Sequence, residues 1–435
     1  MIIERSPPEL DSVWPRYGLK ESPYSTSPMR LLSIMPIQKV FSGRKEEVSL
    51  LKRIIRSKNS SRNLVVGEFG VGKTTLANYI RWDLAIKREN SPYLTTSAEI
   101  KIQPDWNATS FLLSTLSSIY SASIVFDWKT KGIDISSIEK LKEYVSINKI
   151  KSYQGNIWVI GGGYNMNQNN PPMVSPEILE SLLQDVCSNL IKQNKQIIIV
   201  YDNLENIETG KLGEIFRSIR DYLQIEGLHS LFLGPPSVIS ALEAHGQVHS
   251  VFGRPIILKP LEDKNVLEIL EKRCDVLKLE GGRYIKPYED ETIKQIFSKL
   301  NSNIRFTFKV LEDATLLFGS VAPCIVTIND IKAVQEKEKT EILSKLTENQ
   351  LKIVSALLVN PELNLTELCK ITKIGVTNLT MPVRELIDKG LVTEKKDDED
   401  KRIKYIRLSD NSYLKLFWES KKVKGKKDEA QKELL

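Results

Sequence analysis

Residues 67–74 read GEFGVGKT and stand directly behind the apolar run Leu64-Val65-Val66. That order predicts a buried strand, a glycine-rich turn and a helix start, which is the layout of a phosphate-binding loop. Gly67, Gly70 and Gly72 let the backbone curl at positive φ, where a Cβ would clash, so that several N–H groups converge on one anion. The following helix adds its own free N–H groups and the positive end of its dipole. Its apolar positions Leu76, Ala77, Ile80 and Ala85 keep the helical period. Glu68, Phe69, Val71 and Thr75 complete the cradle. Lys73 is placed to reach the β- and γ-phosphates of a nucleoside triphosphate, expected to be ATP, and the Thr74 hydroxyl to hold Mg²⁺. A chance glycine-rich turn before a lysine is the bland alternative, and the flanking strand and helix count against it.

Working outward, Gln196 to Val200 (QIIIV) is a short apolar run that ends in Tyr201-Asp202-Asn203-Leu204-Glu205. A strand apolar on both faces belongs inside a parallel sheet, and acids at its carboxyl end project into the ligand crevice of such sheets. Asp202 is the candidate that orients Mg²⁺. Glu205 is the candidate that positions or deprotonates the attacking water, with Glu68 as its rival and Asn203 in the place beside Asp202. Two more apolar runs, Leu231-Phe232-Leu233 and Ile256-Ile257-Leu258, and a shorter one at Glu99 to Ile102 alternate with helical patterns. The fold class expected is α/β: a P-loop NTPase with a doubly wound parallel sheet.

Length and composition bound the rest. At 435 residues two or three domains are expected, and 41% apolar with 27% charged residues is the make-up of a soluble globular chain. The net charge of +7 makes an acidic polymer a reasonable partner without requiring one. Cys187, Cys274, Cys324 and Cys369 form no CxxC pair, and with only His229, His245 and His249 beside them no zinc site is spelled out. No apolar stretch nears eighteen residues and the N-terminus MIIERSPPELDSVW lacks an apolar core, so a cytoplasmic protein away from the membrane is expected. Residues 1–38, rich in Pro, Ser and aromatics, read as an arm that packs on a domain or a protein partner. Residues 128–175 read as an insertion or lid hairpin within a core of 39–262.

The pieces FSGRKEEVSLL, the phosphate loop, YDNLE, the strand ending in GPPS, and RPIILKPLEDKNVLEILEKRC together resemble the AAA+ superfamily of P-loop ATPases, especially its origin-recognition-type and STAND-like branches. The resemblance covers about residues 39–340 and implies an α-helical lid at 263–340. It also implies that Arg305, opening the helix FTFKVLEDATLLF, acts as the second sensor near the γ-phosphate. Arg254, ahead of the last core strand, falls where an arginine finger would reach a neighbouring subunit, which makes a homo-oligomer an expected partner; a surface salt-bridging arginine is the alternative. The usual polar first sensor is missing after Leu233, where Gly234 and two prolines stand.

From Leu346 the rhythm changes. LTENQLKIVSALL, LTELCKITKI and GVTNLTMPVRELIDKGLV are three helical patterns, and VTEKKDDEDKRIKYIRLSD is two strands around a charged tip. Thr347 with Gln350 has capping-box spacing. Residues 341–420 resemble the MarR-type winged helix-turn-helix, followed by a basic tail at 421–435. The resemblance implies a third helix in the major groove of double-stranded DNA, with Thr377, Asn378, Thr380, Met381 and Arg384 outward and Leu379, Val383, Leu386 and Ile387 inward. Lys401, Arg402 and Lys404 on the wing would meet the backbone or minor groove. Pro382 must lie in the first turn of that helix or kink it. The whole reads as a slow ATPase whose nucleotide state controls DNA engagement or assembly, in replicon initiation, a mobile element or defence. Two alternatives stand beside it: a STAND-like regulator whose winged helix contacts protein, and a transcription factor that keeps nucleotide as a structural cofactor.

Overall fold

The computed structural model describes residues 12–144, 175–300, 302–360, 362–396 and 404–409. Two compact units divide the chain, one spanning Ser27–Leu261 and the other combining Met1–Thr26 with Glu262–Leu435. Of the expected insertion or lid hairpin at 128–175, residues 145–174 lie outside the described residues, as does the basic tail.

The first unit is a parallel sheet in the order β2-β4-β5-β1-β6, with β3 also on the free edge of β4. Its strands are β1 (Ser61–Gly67), β2 (Tyr93–Thr95), β3 (Ile100–Lys101), β4 (Gln196–Asp202), β5 (Leu228–Gly234) and β6 (Ile256–Leu258). Alternation along each strand divides the core into two layers. Val65, Ile198, Val200, Leu231, Leu233 and Ile256 pack with α1 (Lys45–Arg56) and α2 (Lys73–Arg81). Leu64, Val66, Ile197, Ile199, Tyr201 and Phe232 face the other way. They meet α3 (Ala108–Val125), α4 (Pro176–Lys192), α5 (Thr209–Ser218) and α6 (Ser237–Glu243). Residues Ile197 to Tyr201 are all fully buried, which is why β4 reads as an unbroken apolar run. Helix α3 is long and apolar enough by composition to cross a bilayer. In this fold its Phe111, Leu112, Leu116 and Ile119 are core residues, and Phe111 stacks on Tyr201 at 4.5 Å between ring centroids.

In the second unit, α7 (Asp263–Leu277), α8 (Asp290–Lys299), α9 (Ile304–Phe318) and α10 (Ile328–Ser344) are the helices of the segment expected to form the lid, and they pack on one another. Residues 12–26 of the N-terminal arm belong to this unit. Trp14, Tyr17, Leu19 and Tyr24 are buried. Lys20 N donates to Leu277 O at 2.8 Å and Leu279 N to Gly18 O at 2.8 Å. Gly18 sits at φ 74°, and a Cβ there would lie 2.5 Å from Arg283 O, so only glycine fits. Buried Arg273 donates to the carbonyls of Pro23 and Ser25 at 3.0 and 2.8 Å.

The winged-helix part comprises α11 (Glu348–Val359), α12 (Leu365–Thr372), α13 (Val376–Asp388) and a three-stranded antiparallel sheet β7-β9-β8. Strand β7 (Leu363–Asn364) had no signal of its own in the sequence; β8 is Val392–Lys396 and β9 Lys404–Leu408. Thr347 and Gln350 form the expected capping box, and Asn364 with Glu367 forms another at α12. Leu379, Val383 and Leu386 are buried in a core with Ile353, Leu357, Leu368 and Ile406, and Ile387 packs partly buried beside them. Pro382 stands inside α13, beyond the first turn; the helix continues through it, and the Asn378 carbonyl loses its usual amide donor.

Candidate functional site

The loop between β1 and α2 folds as a concave turn at the carboxyl end of the sheet, where ligands of open α/β sheets bind. Gly70 and Gly72 have φ of 79° and 95°. Gly67 does not share that conformation. Its reason to be glycine is crowding, since a Cβ would lie 2.9 Å from both Leu258 O and Val71 Cγ1. Lys73 Nζ donates to the carbonyls of Gly67 at 2.8 Å and Glu68 at 3.1 Å, so its ammonium lies over the loop. Glu68 and Phe69 are exposed on the rim.

Thr74 Oγ1 donates to Asp202 Oδ2 at 2.8 Å, which joins the first turn of α2 to the end of β4. Asn203 N donates to Asp202 Oδ1 at 2.9 Å. Burial pushes the Asp202 carboxyl above the usual carboxylate range, an effect opposed by the Thr74 hydrogen bond and reinforced by the charges of Glu99 and Glu205. A buried, incompletely compensated carboxylate beside a hydroxyl is a donor pair that fits a hard divalent cation. Glu205 lies in the 3₁₀ turn Leu204–Asn206 and is exposed, after Asn203 in the left-handed region at φ 66°.

Four further residues support this site and carried little sequence signal. Arg44, held at φ 59°, donates through Nη2 to Val71 O in the loop at 3.0 Å and pairs with Glu47 at 3.1 Å. Asn78 and Arg81 follow Thr74 on one stripe of α2, at helical spacings of four and seven. Both are fully buried. Asn78 Nδ2 donates to Glu99 Oε1 and to Met29 O, the latter at 2.8 Å. Arg81 donates to Thr95 Oγ1 at 2.8 Å and Asn78 Oδ1 at 2.7 Å, and pairs with Glu99 at 3.8 Å. A polar i, i+4, i+7 stripe inside an otherwise apolar helix was the available signal.

Arg305 lies in the other unit, second in α9 after Asn303, whose side chain accepts from the Arg305 and Phe306 amides. Arg254 is exposed just before β6. On α13, Thr377, Asn378, Thr380, Met381 and Arg384 are all exposed. Glu385 on the same helix accepts from Gln350 Nε2 at 2.6 Å, which fixes its rotation. Lys404 pairs with Glu394 at 2.8 Å, and Lys401 and Arg402 lie outside the described residues.

A search of curated proteins found no match. Among solved structures, the chain is similar to the Aeropyrum pernix ORC2 protein in its ADPNP–ADP complexes, at 16% identity and TM-score 0.49 over 91% of this chain and 95% of that one. It is similar to the Aeropyrum pernix ORC1 protein in complex with DNA, at 14% identity and TM-score 0.46 over 89% and 94%. Cdc6p from Pyrobaculum aerophilum gives 14% identity and TM-score 0.44 over 89% and 94%. Residues 344–403 match the MarR family. Residues 44–299, more than half of the chain and the whole of the phosphate-loop unit from Arg44 onward, match the KAP family P-loop domain, and the chain belongs to that family.

Proposed function

We propose that this protein binds and slowly hydrolyses ATP and engages double-stranded DNA through its winged helix, nucleotide state setting DNA affinity or assembly. The observation that carries the reading is the Thr74–Asp202 hydrogen bond at 2.8 Å, which joins a loop shaped for phosphates to a buried carboxylate. Thr74 and Asp202 would hold Mg²⁺, which when bound neutralises charge on the phosphates. Lys73 would leave its loop carbonyls for the β- and γ-phosphates, and the Gly70 to Thr75 amides would cradle them. Glu205 is the group assigned to orient the attacking water, with Glu68 as its rival. Arg305 is assigned to sensing the γ-phosphate and Arg254 to a neighbouring copy. Four cysteines without a disulfide support a reducing, cytoplasmic setting.

The outward residues Thr377, Asn378, Thr380, Met381 and Arg384, with Lys401, Arg402 and Lys404 on the wing, are the proposed DNA contacts. Met381 at 65% and Val376 at 55% exposure favour a second reading, in which this face docks on a protein partner and the chain is a nucleotide-gated regulator. Fluorescence anisotropy with duplex DNA, in ATP, ADP and neither, separates the two. Nucleotide-dependent binding that falls in Arg384→Ala/Arg402→Ala supports the first reading, and absence of binding in every state supports the second. ATP turnover in wild type and Glu205→Gln tests the water-orienting assignment. An unchanged rate moves that role to Glu68.

A further inference from the structure

Helix α1 carries an array of cations that the nucleotide site does not use. At 3.6 residues per turn, Lys45, Ser49, Lys52, Arg53 and Arg56 fall within a sector of about 100°. With Val48 and Ser57 they make up one open face of the helix that contains no acid. Lys52 is answered by Asp83, which it shares with Lys87. Among the described residues no ion pair involves Lys45, Arg53 or Arg56. The acids of this helix, Glu46 and Glu47, stand in its first turn, and Glu47 is taken by Arg44.

Other exposed helices of this chain are built differently. Lys272, Lys345 and Lys352 each meet a glutamate one turn earlier at 2.6 Å. On α1, cation follows cation about one turn on, Lys52 to Arg56 at four residues and Arg53 to Arg56 at three, an arrangement that costs a helix a few tenths of a kcal/mol per pair. A polyanion laid along this face removes that repulsion. From Lys45 to Arg56 the array runs about 16 Å, which matches about five successive phosphates of one strand at 3.4 Å per nucleotide along a duplex axis.

We propose that the basic face of α1 is a second nucleic-acid surface, independent of the winged helix, that grips the phosphate backbone of double-stranded DNA without reading its sequence. It rests on the reading that nucleic acid is this protein's partner, and it assigns the P-loop unit a contact of its own. Phosphate contacts of this kind set affinity and salt dependence and leave base preference alone.

The test uses the full chain with Arg53→Ala/Arg56→Ala, both exposed, beside wild type and Arg384→Ala. Anisotropy with two duplexes of unrelated sequence is followed across a salt series. The α1 variant is expected to weaken both duplexes alike, about tenfold at low salt, and to reduce the slope of log K against log salt by about two, one for each phosphate contact removed. Matching thermal unfolding curves check that the variant is folded. Affinity and slope equal to wild type overturn the proposal. If the α1 variant responds and Arg384→Ala does not, the winged-helix reading fails and the α1 surface stands. Wild type that binds neither duplex overturns both. A labelled polyglutamate peptide that binds wild type but not the α1 variant, with DNA binding unaffected, assigns the face to an acidic protein and overturns the nucleic-acid proposal.

Discussion

Arg81→Met is the substitution whose consequence follows most directly from the packing. The Arg81 guanidinium is fully buried. Burial lowers it from an ordinary 12.5 to about 10. At about 1.4 kcal/mol for each factor of ten, holding the charge there costs about 3 kcal/mol. That cost, which already includes the attraction of Glu99, is offset by charge-assisted hydrogen bonds to Thr95, Thr96 and Asn78, each contributing about 1.5–3 kcal/mol. Methionine removes the cost but also every donor. Glu99, only 4% exposed at its side chain, keeps just the Asn78 amide. The expected loss is about 3–5 kcal/mol, the usual result of removing one partner of a buried ion pair. Native-state hydrogen exchange, read on peptides covering β1 and β4, reports this unit separately from the other. Their opening equilibria should rise by about two to three and a half powers of ten. Arg81→Met/Glu99→Leu leaves no buried charge and should recover most of the loss. A single variant within about 1 kcal/mol of wild type, or a double variant no more stable than the single, refutes the reasoning.

Two further outcomes follow from the same unit. Gly67→Ala forces a Cβ to within 2.9 Å of Leu258 O and Val71 Cγ1; overpacking of this kind should cost about 1–3 kcal/mol in denaturant unfolding and weaken nucleotide binding, and a variant that keeps wild-type stability shows that the strands part easily. His229, buried between Ser61 and Gln196 at 2.9 Å on each side, is lowered by that burial from 6.5 to about 4. Its folded form therefore holds fewer protons than the unfolded chain between about pH 4 and 6.5, and stability falls as pH drops through that window, by about 3 kcal/mol in all. Denaturant midpoints across this window should be flatter for His229→Gln than for wild type, and equal slopes for the two proteins count against the assignment.

Short-range pattern decided a good part of this protein. The run Leu64 to Thr74 carries strand, turn and helix start within eleven neighbouring residues, and each step is a local backbone requirement. The apolar stretch Gln196 to Val200 and the three helical patterns from Leu346 are legible for the same reason, because burial on one stripe or on both faces imposes a period on the sequence itself. Strands β2 and β7, with three and two residues, are too short to show a period. Gly67 was legible as a glycine but not in its cause, since the crowding that requires it comes from β6.

Tertiary structure decided what depends on distant partners. Thr74 and Asp202 meet across 128 residues of chain, and only the parallel sheet brings them to 2.8 Å. The arm looked extended because its partners, the Leu277 and Leu279 backbone and Arg273, stand about 250 residues on. Nothing in the sequence pairs Glu99 with Arg81; the fold closes over both and makes each the other's compensation. The sequence alone determined which local elements form, because backbone preference and periodicity act between near neighbours. Which side chains face one another inside the P-loop unit was decided by sheet order and burial, which bring into hydrogen-bond range groups that no spacing along the chain connects.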